Sequence, residues 1–158
     1  MKERHMDLIL WRHAQAEEGF PDLARQLTEK GQIQAEKMAQ WLRTQLPKDQ
    51  TDTTILVSPS KRTQQTASAL SHNFETVQEI GPGASANQIL AAANWPYAGG
   101  TAIVVGHQPT LGETALTLLT QLPAGLTFKK GAVWWFRYQK KENAAEVVLL
   151  TVKYPSML

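Results

Sequence analysis

Two histidines and two arginines follow short apolar runs in this sequence. Arg12-His13 follows Leu8-Ile9-Leu10-Trp11, and Arg62 follows Thr54-Ile55-Leu56-Val57 through Ser58-Pro59-Ser60-Lys61. His107 follows Thr101-Ala102-Ile103-Val104-Val105-Gly106. An arginine donates two parallel hydrogen bonds from a planar fork, which suits the oxygens of a phosphoryl group. Such a group carries about −1.5 to −2 charges near neutral pH, so two arginines roughly neutralise it. Neighbouring cations disfavour imidazolium, which predicts a lowered pKa for His13. A neutral His13 with one nitrogen donating to a backbone carbonyl has a lone pair free to attack phosphorus. His107 then fits as a hydrogen-bond donor to the transferring oxygens.

These residues need elements that bring them together. Leu8–Trp11, Thr54–Val57 and Thr101–Val105 are continuous apolar runs, the pattern of strands buried on both faces. Phe74–Ile80 predicts a weaker strand, ended by Gly81-Pro82-Gly83. A loop is expected over Gln15–Arg25. Thr28 then caps a helix carrying Ala35, Met38, Ala39, Leu42 and Leu46, with Pro47 at its end. Further helices are expected from Pro59 to about Asn73, over Ser85–Asn94, and from Pro109 to about Leu122. Ala132–Tyr138 and Glu146–Val152 predict a terminal pair of strands joined near 140–143.

Strands alternating with helices imply βαβ units and a mainly parallel sheet in one α/β domain over 1–158. In such a sheet the ligand crevice lies beyond the carboxyl ends of the strands, where the three polar segments would converge. Pro59 and Pro109 suit the first position of a helix and would leave free N–H groups facing that crevice. Ser58 reads as a helix N-cap rather than a nucleophile.

Composition narrows the choices. The 158 residues contain no cysteine, which excludes disulfides, thiolate metal sites and cysteine nucleophiles. A net charge of +2 is too small to argue for nucleic acid, and Lys129-Lys130 and Lys140-Lys141 read as solvated loop residues. No apolar run approaches the ~20 residues of a membrane span, and no signal segment is evident, so a cytoplasmic protein is expected. Residues 1–5 read as a disordered extension. The arginines beside His13 and His107 repel cations, and no histidine pair has ligand spacing, so no metal or cofactor is expected. His5, His72 and Lys61 read as exposed, and Trp134, Trp135 and Phe136 as core.

The motifs resemble those of the histidine phosphatase superfamily, and within it the short phosphohistidine phosphatases of the SixA type. Arg12-His13 after its strand is similar to the first motif, Ser58-Pro59-Ser60-Lys61-Arg62-Thr63-Gln64-Gln65-Thr66-Ala67 to the second, and Val105-Gly106-His107-Gln108-Pro109 to the third. Asp22, Arg25, Leu27, Thr28 and Gly31 also match the spacing of short members, and the similarity runs from Met6 to about Leu122. The resemblance implies a phosphoglycerate mutase-like three-layer sandwich with helices on both faces of the sheet. It implies His13, Arg12, Arg62 and His107 as catalytic residues, with Arg12, Arg62 and His107 binding the phosphoryl group; Ser58 is a further candidate for phosphoryl binding. Asp22, Arg25 and Glu113 are accessory candidates.

The implied reaction is transfer to His13 followed by hydrolysis. The implied partner is a phosphorylated protein, such as a histidine phosphotransfer domain, acted on by a monomer. Larger members carry an acid between the second and third motifs, whereas Glu79 here sits in Gln78-Glu79-Ile80-Gly81-Pro82. An imidazole leaving group takes a proton near pH 6.5 and tolerates that absence. Small phosphate esters are the alternative substrates, and a catalytically silent phosphate-binding module is the alternative from another class.

Overall fold

The computed structural model describes residues 6–120 and 130–153. The chain divides into two compact units, Met1–Gln121 and Leu122–Leu158. The expected extension at 1–5 lies outside the described residues.

The first unit is built on four parallel strands: β1 (Met6–Arg12), β2 (Thr53–Val57), β3 (Glu75–Thr76) and β4 (Gly100–Gly106). Their spatial order is β1-β4-β2-β3. Helix α1 (Glu29–Gln45) joins β1 to β2, α2 (Lys61–Ser68) leads to β3, α3 (Ala86–Ala92) leads to β4, and α4 (Thr110–Thr120) follows it.

Strand side chains alternate between faces, so each apolar run feeds two cores. Trp11, Ile55, Val57, Ile103 and Val105 pack with Ala39 and Leu42 of α1 and Ala67 of α2. Leu56, Ala102 and Val104 pack with Ile89 of α3, Leu111 of α4 and Ile80. This is the expected mixed α/β arrangement with helices on both faces. Truncating a fully buried residue such as Ile103 to Ala would cost about 2–5 kcal/mol. The chain steps from β1 to β2 to β3 in one direction and returns to β4 between β1 and β2. The helices accordingly change face, which puts the topological switch point of the sheet beside β4.

Several expected boundaries move, each for a physical reason. The weak strand shrinks to Glu75–Thr76, because its pairing runs out where β2 ends at Val57, and Gln78–Ile80 form a 3₁₀ turn instead. Helix α2 stops at Ser68 rather than near Asn73, and Arg43 of α1 donates to the freed carbonyls of Ala69 and Leu70. Ser60, not Ser58, caps α2 by accepting from the Thr63 N–H, so Pro59 lies before the cap. Pro109 likewise precedes α4, its carbonyl accepting from the Glu113 N–H. The first loop contains a 3₁₀ turn over Asp22–Ala24. Met38 of α1 is exposed, while Ala35, Ala39 and Leu42 are buried. Ser85 and Gln88 close a capping box on α3.

The second unit is an antiparallel hairpin of β5 (Val133–Lys141) and β6 (Ala144–Lys153), longer and more tightly turned than expected. Lys140 and Lys141 therefore lie in a strand, paired with Ala145 and Ala144, and not in a loop. Trp135 is exposed rather than core, and the side chains of Trp134 and Phe136 lie outside the described residues. No described helix is long and apolar enough to cross a membrane.

Candidate active site

The sheet register sets the site. Arg12 of β1 pairs with Gly106 of β4, and Val57 of β2 pairs with Val105. The next residues continue this pattern: the His13 N–H donates to the Gly106 carbonyl at 3.1 Å, and the Ser58 N–H donates to Val105 at 3.1 Å. His13, Ser58 and His107 thus leave three neighbouring strands at one edge. The ring centroids of His13 and His107 are 5.4 Å apart.

Arg62, in the first turn of α2 and only 4% exposed, joins them. Its Nε donates toward Nε2 of His13 at 3.4 Å, and its Nη2 lies 3.4 Å from Nδ1 of His107. Nη1 donates to the Asp22 carbonyl at 2.8 Å, and Nη2 also donates to the Asp22 carboxylate at 3.1 Å. Arg25 holds the other Asp22 oxygen at 3.0 Å and donates from Nε to the Glu17 carbonyl at 2.7 Å. Asp22 therefore orders the first loop and also bridges that loop to Arg62. The two arginines hold its carboxyl below the usual carboxylate range, Arg25 more than Arg62.

Nδ1 of His13 lies 2.7 Å from the Ala14 carbonyl. A carbonyl can only accept, so Nδ1 carries the proton and Nε2 keeps its lone pair toward Arg62. The His13 pKa is lowered, as expected, but chiefly by burial. The charges of Arg62, Arg12 and Arg25 act in the same direction, and the Ala14 hydrogen bond opposes them. His107 is pushed down to about 4, first by burial, then by Arg62 and by His13, against a smaller opposing pull from Asp22. Both rings are thus neutral near pH 7. Nε2 of His107 meets the hydroxyl of Ser58 at 2.7 Å, and Ser58 is fully buried.

The other candidates separate. Arg12 is exposed at the end of β1, and its charge reaches His13 and His107. Glu113 is exposed in the first turn of α4, Glu79 is exposed in its 3₁₀ turn, and neither joins the cluster's hydrogen bonds among the described residues. Lys61 and His72 are exposed, as expected. No group of three metal-ligating side chains occurs among the described residues.

Two supporting residues were not singled out from the sequence. The Thr66 hydroxyl accepts from the Ala14 N–H at 3.1 Å and donates to the Arg62 carbonyl at 2.8 Å, tying the His13 loop to α2. The Gln65 amide oxygen accepts from the Leu27 N–H at 2.7 Å. Both stand in the second motif, but a threonine one turn after an arginine reads equally well as helix packing. Gly31 has a clear steric cause: a Cβ there would collide with the Gln15 carbonyl.

A neutral histidine with an available nitrogen, a buried guanidinium and a second neutral imidazole can together hold a phosphoryl group and accept it covalently. Residues 8–83 match the family described as histidine phosphatase superfamily (branch 1). A search of curated proteins gives no match. Among solved structures, the chain is similar to a protein described as the phosphohistidine phosphatase SixA from Nakamurella multipartitia. Identity is 36%, covering 74% of this chain and 67% of that one, with a TM-score of 0.65. Two further structures share the fold: the protein histidine phosphatase SixA complexed with tungstate and an Escherichia coli protein described as an alpha-ribazole-5'-P phosphatase. The first is 21% identical over 94% of this chain and 97% of that one, with a TM-score of 0.62. The second is 17% identical over 92% and 96%, with a TM-score of 0.55.

Proposed function

Because the chain belongs to the histidine phosphatase superfamily, whose members are phosphatases with a histidine nucleophile, we propose that it hydrolyses phosphohistidine on proteins through a phosphorylated His13. Nε2 of His13 attacks phosphorus while the substrate's N–P bond breaks and its electron pair returns to the substrate imidazole. Water then cleaves the new N–P bond, releasing inorganic phosphate and restoring His13. Arg12, Arg62 and His107 bind the transferring oxygens. Ser58 acts on them through His107, and Asp22 and Arg25 hold Arg62 and the first loop.

One observation carries the substrate reading: among the described residues, Asp22 is the carboxylate hydrogen-bonded into the cluster, and two arginines keep it ionised. An ionised carboxylate is a poor proton donor, and an alkoxide leaving group needs a good one. A substrate imidazole takes a proton near pH 6.5 and departs neutral without help. The surroundings of Asp22 suit a protein partner. Phe20 is 96% exposed and Leu23 about half exposed, so the loop that contacts Arg62 presents an apolar edge. The reading includes a cytoplasmic monomer, working without metal, in which 1–158 act as one domain on a histidine phosphotransfer domain or a similar carrier.

The test is competition between a phosphohistidine-bearing protein and a panel of sugar phosphates and nucleotides, compared as kcat/KM. A preference of at least tenfold for the phosphoprotein is expected. A clear preference for the esters would replace this reading with that of a small-ester phosphatase.

A further inference from the structure

We infer that Ser58 holds His107 in the tautomer with its proton on Nδ1, so that His107 and Arg62 offer two N–H donors to one phosphoryl oxygen. The inference takes from the proposed function only the purpose of those donors; the tautomer follows from hydrogen bonding alone.

Ser58 is fully buried, and its hydroxyl lies 2.7 Å from Nε2 of His107. A hydroxyl has one proton to donate and lone pairs to accept, and a neutral imidazole has one nitrogen of each kind. If Nε2 carried the proton, it would donate into Ser58 Oγ. The serine's own proton would then need another acceptor, and Nε2 is the only partner of Ser58 Oγ among the described residues. A buried donor left unmade is costly. If instead Ser58 donates to Nε2, both groups are satisfied and the ring proton sits on Nδ1.

The competing arrangement has Arg62 donating into Nδ1. Nη2 has a second N–H free for it beside the one on Asp22, but that contact is 3.4 Å, beyond the usual range of about 2.7–3.2 Å, whereas the Ser58 contact with Nε2 is 2.7 Å, so the shorter bond sets the tautomer. Two N–H groups side by side at that distance are well placed to share one incoming oxygen. Burial supports the assignment, because it keeps His107 neutral and so confined to a single proton. Ser58 is then a positioning residue: it touches no reacting atom and sets which nitrogen of His107 can donate.

The experiment is ¹⁵N-histidine NMR of the whole protein near pH 7, free and with inorganic phosphate. A protonated Nδ1 and an unprotonated Nε2 on His107 are expected in both states; a protonated Nε2 would overturn the assignment without any variant being made. In Ser58→Ala, loss of the single-tautomer signature is expected. Inhibition by phosphate should weaken, and kcat/KM should fall on the order of 10- to 100-fold. Ser58→Ala with unchanged phosphate inhibition and unchanged turnover would refute the positioning role. If the protein spared phosphohistidine but showed the Nδ1 tautomer and the loss of phosphate inhibition in Ser58→Ala, the proposed substrate would fall and this inference would stand.

Discussion

Arg62→Ala removes the side chain on which the site converges. Its guanidinium makes contacts of 2.8 and 3.1 Å with Asp22 and of 3.4 Å with each histidine. Removing one preorganised donor to a developing oxyanion typically costs about 10²–10³ in kcat. Arg62 supplies more than one donor together with a buried charge, so kcat/KM should fall by about 10³ or more, roughly 4 kcal/mol. The loop should stay in place, because Arg25 still holds Asp22 at 3.0 Å. A second effect separates charge from geometry. Arg62 lowers the pKa of both His13 and His107, so its removal lets both rings protonate at higher pH. The acid limb of the pH–rate profile should therefore move upward in Arg62→Ala. Arg62→Lys keeps the charge without the fork, and should return the limb toward its wild-type position while recovering little of the rate. The assay is steady-state release of phosphate from a phosphohistidine protein between pH 5 and 8, with folding checked by circular dichroism. A folded Arg62→Ala protein within threefold of wild type would refute the reasoning, and full rescue by lysine would refute the role of the fork.

His13→Ala should abolish turnover and acid-labile phosphorylation of the enzyme while leaving the fold intact; phosphate release assayed in EDTA together with labelling of the protein checks this, and retained activity would sink the mechanism. Acid stability gives an independent check on His107. Its folded pKa of about 4 lies below the ordinary histidine value of about 6.5, so protons favour the unfolded chain between these values. Its contribution is fully present above pH 6.5 and is lost as pH falls toward 4, on the order of 3 kcal/mol in all. Denaturant titrations at pH 7 and 4.5 should show a larger loss for wild type than for His107→Asn, and equal losses would contradict a buried neutral ring.

The sequence makes the scaffold of the site legible where a single physical rule dominates. Short, β-branched apolar runs such as Thr101–Val105 read as buried strands, and parallel winding then brings His13, Ser58 and His107 to one edge. It is less informative where two rules compete. Ser58 and Ser60 both stand before a helix, and either can cap it. The structure uses Ser60 because Ser58 still extends the β2 register, with its N–H on Val105, which leaves its side chain to face His107. Phe74–Ile80 has strand-like residues, yet β2 offers a partner for only two of them. Arg62 stands in a polar segment that follows a strand and so belongs at the crevice, but its link to Asp22 spans 40 residues of sequence, which no local pattern encodes. The lowered pKa of His13 was expected from charge, whereas burial, a property of the folded chain, is the larger cause.

Asp22 raises an electrostatic question that its neighbours answer. A carboxylate on Arg62 would oppose an incoming phosphoryl group, both by occupying donors and by adding like charge. Yet without an anion, a guanidinium only 4% exposed would be left uncompensated. Arg25 resolves the conflict. It binds one oxygen of Asp22 while Arg62 binds the other, so Nη2 of Arg62 can turn to a phosphoryl oxygen without leaving the carboxylate unpaired. Arg12, Arg25 and Arg62 set against Asp22 leave two positive charges, close to the −1.5 to −2 of a phosphoryl group near neutral pH. The two histidines add nothing to this balance because both are held neutral. Protonating either would strengthen phosphate binding while removing what the ring contributes to transfer in the proposed reaction: the nucleophilic lone pair of His13, or the acceptor on His107 through which Ser58 fixes its tautomer. Burial of the two rings therefore favours turnover over tight retention of the product.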